Sequence, residues 1–286
     1  MRKTILTTGL IAGGLALAPL AQADNDGSYE ATSIAPPIDA LPAAVAPVSA
    51  YDSSLDLSGA ANTYIESPSG DLDSYPGYVT TMDDLYLKPL GDTETPSLAL
   101  SDLPTNSYSY ATTVPEGAKL VENQVLADYN AGELSAAHPD VILGYSDSTV
   151  MDSEAMPVLE ADGVPSQDVD FVFVGDTSQP VTGYLADSSN AWLLNLVGMG
   201  DLINQTTPTN YFTVDDVMIN GDGFADATAN NWEGSTLHEL YPGLDTAEIN
   251  SAVETTTGDL HTFVLDLDAS ETWTAAVTAL DAVFGW

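Results

Sequence analysis

Gly144-Tyr145-Ser146-Asp147-Ser148 sets a serine in a turn of small residues directly after the apolar run Val141-Ile142-Leu143. A sharp strand-to-helix turn of this kind lifts a hydroxyl clear of a sheet edge. It also aims backbone N–H groups at a developing oxyanion, and acyl transfer requires both. The serine needs a neighbouring base, and the base needs an orienting carboxylate. Three histidines are available. His138 precedes the elbow strand and falls at its N-terminal end, the wrong edge of a parallel sheet for catalysis. His261 opens the strand-like run that ends at Leu265 and reads as structural. His238 remains. For the carboxylate, Asp222 sits in the glycine-flanked turn Asn220-Gly221-Asp222-Gly223, directly after the strand-like Val214 to Ile219. Asp226 is its rival, since a chain with 43 acidic residues brings some aspartate near any site. The same turn hints at a calcium loop but lacks the alternating ligands and terminal glutamate of an EF-hand, so neither a metal nor a cofactor is expected.

The elements that must position these groups follow from the flanking sequence. Val141-Ile142-Leu143 is short, β-branched and apolar, as a buried parallel strand should be. Thr149 to Met156 reads as a short helix that Pro157 would stop. Upstream, Pro115 at a first helical turn, the 3-4-4 spacing of Ala118, Val121, Val125 and Tyr129, and Gly132 beyond the end describe an amphipathic helix. Phe171 to Val174, Tyr211 to Val214 and Thr262 to Leu265 supply further strands. Alternation of helix and strand predicts an α/β fold, a mostly parallel sheet flanked by helices in a single domain. Ala191 to Met199 is apolar between polar loops and reads equally as an acyl-pocket wall or a core helix.

Composition bears on where such a domain would work. Arg2 and Lys3 precede the apolar run Ile5 to Leu20, and Ala21-Gln22-Ala23 is an A-x-A cleavage site, so residues 1–23 read as a secretory signal peptide. Residues 24–50, rich in alanine and proline, read as an extended linker, and residues 51–286 as the catalytic domain. There is no cysteine, so the fold must rest on its apolar core without disulfides. The formal charge is −39, and only Lys88 and Lys119 are basic beyond the signal segment. That balance excludes binding of nucleic acid or anionic lipid through a basic patch. The acids are scattered along the chain, which describes a highly solvated surface.

From about Leu55 to Asp266 the sequence resembles the PE-PPE domain of mycobacteria and their relatives, a serine α/β-hydrolase domain similar in design to cutinases. The segments that carry the resemblance are Leu57 to Asn62, Met82 to Pro89, Thr113 to Val125, the elbow Gly144 to Ser148, Gly221 to Asp226 and Leu237 to Asp245. No counterpart of the family's N-terminal PE or PPE helical module is seen in these segments. The resemblance implies Ser146 as nucleophile, His238 as base and Asp222 as acid, in the chain order of α/β-hydrolases. It implies an oxyanion hole formed by the amides of Asp147 and Ala60. Two positions depart from the family pattern. Residue 147 is commonly glutamine, and an aspartate there is expected to turn outward at the helix N-terminus. The loop Ser58-Gly59-Ala60-Ala61 is poorer in glycine than its counterpart.

These readings converge on a secreted or envelope-associated serine esterase or lipase acting on acyl esters or lipids, with no nucleic-acid partner. Acyl transfer between envelope glycolipids would use the same residues while excluding water. A non-catalytic acidic surface protein could retain the fold.

Overall fold

The computed structural model describes residues 55–66, 77–96, 110–186, 202, 204–227, 237–268, 271–272, 274–276 and 278. The signal segment, the linker and the apolar run at 191–199 lie outside the described residues. In chain order the main elements are β1 (Asn62–Ile65), α1 (Tyr78–Met82), α2 (Tyr110–Ala131), β2 (Asp140–Tyr145), α3 (Asp147–Ala161), β3 (Val169–Val174), β4 (Thr213–Ile219), α4 (Thr246–Asn250), β5 (Val253–Thr257) and β6 (Leu260–Leu265). The strands form one sheet in the order β1-β2-β3-β4-β6-β5. Every pairing is parallel except that of β5 with β6. This is the expected α/β-hydrolase-type sheet, mostly parallel and flanked by helices.

Because side chains alternate across a strand, each strand feeds two cores. Ile65, Val141, Leu143, Val172, Val174, Val217, Ile219, Phe263 and Leu265 face one side, beneath Tyr78, Met82, Tyr86 and Leu87 and beneath Leu240, Tyr241, Leu244 and Ile249. Ile142, Phe171, Phe173, Val214 and Leu260 face the other, under Ala118, Val121 and Val125 of α2 and Ala155, Met156 and Leu159 of α3. All six residues of β2 are buried, which explains why its sequence reads as a continuous apolar run rather than an alternation. The antiparallel edge strand β5 exposes all five of its residues and carries threonines there.

Three local expectations are corrected. The helix after the elbow does not stop before Pro157 but runs on to Ala161 with the proline inside it. Pro157 lies on the half-buried flank, and the fully buried Met156 and Leu159 beside it anchor that turn to the sheet, so packing offsets the one lost helical bond. Likewise α2 begins at Tyr110, with Pro115 inside it rather than in its first turn. The strand expected at Tyr211 starts at Thr213, with Phe212 buried against Phe171 at a ring distance of 5.6 Å. Gly132 does close α2 in the left-handed region, at φ 76°.

Among the described residues, the interior contains acids that no lysine or arginine neutralises. Both described lysines are engaged at the surface, Lys88 with Asp83 and Asp84 and Lys119 with Glu122. Glu66 and Asp152 are wholly buried and face one another, an arrangement that disfavours ionisation of both carboxyls. Burial and the Asp152 charge push Glu66 well above the carboxylate range. Burial lifts Asp152 to about 7, as it does Asp140 and Asp170. Burial also raises Asp216, which faces Asp176. A folded state that retains protons which the unfolded chain has lost becomes less stable as pH rises through the interval between the two pKa values. Stability should therefore fall between about pH 4 and pH 7, by up to about 1.4 kcal/mol per pH unit for each proton retained. Urea midpoints at pH 4.5, 6.0 and 7.5 and constant ionic strength check this. The expected order is descending, and an ascending series would show that these carboxyls ionise normally in the fold.

Candidate active site

Tyr145 ends β2 and Asp147 begins α3, so the chain reverses from strand to helix across Ser146 alone, at φ 61° and ψ −118°. A non-glycine residue held there costs on the order of 1–3 kcal/mol and persists only if its surroundings enforce it. They do. The Ser146 N–H donates to the Val174 carbonyl at 3.1 Å, and the Ser146 carbonyl accepts from Thr149 N–H at 3.2 Å and Thr149 Oγ1 at 2.6 Å. Small neighbours are required because α3 passes close over the strand. A Cβ on Gly144 would lie 2.4 Å from Asp152 Oδ2 and 3.1 Å from the backbone at Ser148 and Thr149. Ser148 is fully buried and donates to the Glu66 carbonyl at 3.3 Å, tying the turn to β1.

Ser146 is half-exposed, and its Oγ lies 2.8 Å from His238 Nε2. His238 Nδ1 lies 2.9 Å from Asp222 Oδ2 and 3.1 Å from Oδ1. The hydrogen-bond network therefore assigns the proton to Nδ1 and leaves Nε2 to accept from the serine. Asp222 hangs from the turn after β4, wholly buried; its Oδ1 accepts the Phe224 N–H at 2.9 Å and its Oδ2 accepts the Tyr241 hydroxyl at 2.7 Å. Asp226 is directed elsewhere, its Oδ2 accepting the Gly221 N–H at 2.9 Å, which closes the same turn. The structure thus brings Ser146, His238 and Asp222 together and gives Asp226 a different partner.

The imidazole is enclosed by rings. Tyr145 stacks on it at 5.6 Å, Phe224 lies at 4.8 Å, and Tyr241 meets it edge-on at 6.0 Å. The Tyr145 hydroxyl also donates to the His238 carbonyl at 2.5 Å. Burial acts to lower the His238 pKa. The Asp222 charge and hydrogen bond, with the charges of Glu239 and Asp147, outweigh it and hold the imidazole above its ordinary value. Sequence reasoning missed Gly175. It turns the chain at φ 63°, and a Cβ there would meet Tyr241 at 2.8 Å and His238 Cε1 at 3.1 Å. A glycine directly after an apolar strand is the signal that marks such a close approach.

The other histidines lie apart. His138 Nδ1 bonds the Gly59 carbonyl at 2.9 Å beside the start of β2, and His261 on β6 bonds Glu254 on β5 at 2.7 Å. Ala60, expected to donate to an oxyanion, is a correction. It precedes β1, whose register pairs Asn62 with Asp140, so it lies roughly 25 Å along the strand direction from Ser146, at the opposite edge of the sheet. Its N–H is given to the Leu57 carbonyl at 3.1 Å. It is Glu66, at the other end of β1, that lies on the serine's side. Asp147 does adjoin the serine, but its side chain is buried, its charge felt by Glu66 and Tyr78, and does not turn outward as expected. Among the described residues, no cluster of three or more histidines and carboxylates could hold a metal ion.

The parallel sheet, the strand–turn–helix at Ser146 and the order serine, aspartate, histidine define an α/β-hydrolase-type protein. More narrowly, the model of the PE-PPE domain family matches residues 92–233. That span includes Ser146 and Asp222 and ends before His238; the resemblance read at Leu57 to Asn62, at Met82 to Pro89 and around His238 lies outside it. Among solved structures, a cutinase-like protein from Cryptococcus sp. is similar, with a TM-score of 0.42 and 13% identity over 79% of this chain and 96% of its own. The chain has no match among curated proteins.

The His238 environment yields a test that needs no substrate. An NMR titration of the ring should give a pKa above that of an ordinary histidine, and Asp222→Asn should lower it, because the neutral amide removes the largest favourable charge. A pKa unmoved by that substitution would show that Asp222 does not govern the imidazole.

Proposed function

We propose that the protein is an exported serine hydrolase of carboxylic esters, with Ser146 as nucleophile, His238 as general base and Asp222 as the group that orients the base. The observation that carries this reading is the unbroken hydrogen-bond chain from Ser146 Oγ through His238 to the buried Asp222 carboxylate. In the first half-reaction Ser146 Oγ attacks the ester carbonyl while its proton passes to His238 Nε2. The imidazolium is held by Asp222, and the tetrahedral oxyanion forms beside the amide of Asp147, at the N-terminus of α3. Collapse expels the alcohol with the proton from His238 and leaves an acyl-Ser146. Water, deprotonated by His238, then attacks the acyl group, releasing the carboxylic acid and restoring the serine. None of these steps calls for a cofactor.

The electrostatics also bear on the substrate. Both described lysines are tied to surface acids, while Asp147 and Glu239 face the catalytic histidine, so nothing described near the site offers an anionic substrate a partner. Uncharged acyl esters or lipids suit such a site. Export rests on the Arg2-Lys3 start, the apolar run and the Ala21-Gln22-Ala23 site.

Hydrolysis of neutral p-nitrophenyl esters tests the assignment. Ser146→Ala and His238→Ala should each lose about 10⁴- to 10⁶-fold in kcat, and the double variant should lose little more, because members of such a chain act as one unit. Asp226→Asn should retain activity, since Asp226 serves the turn. Near-normal activity in Ser146→Ala, with loss in Ser148→Ala, would move the nucleophile and overturn the reading.

A further inference from the structure

We propose that Tyr241 is a positioning residue for the site, its hydroxyl fixing the Asp222 carboxylate to the end of β4 and so tuning how strongly that carboxylate holds His238. The proposal rests on the serine-hydrolase reading for its catalytic consequence, though not for its geometry. β3 is in register with β4 only as far as Val174 opposite Val217, and the chain then turns away at Gly175. The N–H of Ile219, two residues further along β4, is taken up by the Tyr241 hydroxyl at 3.0 Å. The same hydroxyl donates to Asp222 Oδ2 at 2.7 Å, the oxygen that also receives Nδ1–H of His238 at 2.9 Å. One buried O–H group therefore joins the last buried strand amide to the acid.

Its own position is fixed from several sides. The ring is wholly buried and edge-on to both Tyr145, at 5.8 Å, and His238. It fills the space that only a glycine at 175 leaves open, and Tyr86 donates to its backbone carbonyl at 2.8 Å. Burial and the Asp222 charge hold the phenol well above its usual range, so it stays protonated and remains a donor wherever the enzyme would work. A carboxylate that loses a donor keeps more charge for its remaining partner. Removing the hydroxyl should therefore strengthen the hold on the imidazolium, raise the His238 pKa and free the carboxylate to rotate. The other groups facing this pair, Glu239 and Asp147 toward His238 and Asp216 toward Tyr241, are unchanged by the substitution.

The test compares Tyr241→Phe with Tyr86→Phe, which loses a buried hydroxyl bonded to the same tyrosine without touching Asp222. In Tyr241→Phe the His238 NMR titration and the acid limb of kcat should move to higher pH. Ester turnover should fall about 10- to 100-fold with KM within about twofold, the signature of a misoriented chain rather than lost binding. Tyr86→Phe should lower stability and leave both pH midpoints in place. Should Tyr241→Phe fail to fold, 3-fluorotyrosine at position 241 keeps the ring and hydroxyl but makes a stronger donor, and the His238 titration should then move to lower pH. A His238 titration that stays at its wild-type position in the Tyr241 variants, or moves equally in Tyr86→Phe, overturns the proposal. The titration needs no turnover. An inactive wild type would refute the hydrolase reading alone, and an active wild type with an unresponsive titration would refute this one alone.

Discussion

Every other feature of the site depends on the turn at Ser146, where one residue at φ 61° separates a buried strand from a helix. The conformation is unfavourable for a residue with a Cβ, and it is sustained by bonds on both sides, to Val174 of β3 and to Thr149 of α3. Once it is formed, Oγ stands at the C-terminal edge of the sheet. The turns after β3 and β4 open at that same edge, so Gly175 and Asp222 arrive beside it without special design. His238 comes from the segment before α4, whose apolar residues Leu240, Tyr241 and Leu244 anchor it in the core on one face of the sheet. Ser146, Asp222 and His238 thus inherit their spacing from strand register and core packing.

Beneath this edge the protein buries carboxyls with almost no cations to meet them. In most folds a buried acid is matched by arginine or lysine; here Asp176 is instead satisfied by Thr149, Ser178 and Thr207, and Asp128 by Tyr64 and Gln124. Glu66 and Asp152, which lack such donors, are held above the usual carboxylate range by burial and adjoin the elbow through Ser148 and Gly144. The acidic composition therefore reaches past the surface into the packing that supports the turn at Ser146.

Much of this was legible in the sequence where local chemistry is restrictive. Gly144 and Ser148 must be small because α3 crosses close to β2, and Val141 to Leu143 must be apolar because both faces of β2 are covered, so the elbow stands out in the residues themselves. Asp222 could be placed by its position after β4, but its distinction from Asp226 depends on which side chain closes the turn, and that is settled only in three dimensions. Pro157 misled because a local helix breaker was outweighed by burial of Met156 and Leu159. Ala60 misled because a motif match carries no strand direction; the register of β1 with β2 puts that loop at the far edge. Tyr241 and Tyr145 fall in segments that carry the family resemblance but gave no sign of their hydroxyl partners, since a tyrosine that packs and a tyrosine that bonds an acid look alike until those partners are seen.

The central claim is that Ser146 is an activated nucleophile rather than a well-placed surface hydroxyl. Incubating the folded protein with a fluorophosphonate and mapping the adduct by peptide mass spectrometry addresses it directly, because only an activated serine attacks the phosphorus at an appreciable rate. The account predicts a single adduct on Ser146, formed faster as pH rises through the His238 pKa. An unlabelled protein, or an adduct on any other residue, would contradict it.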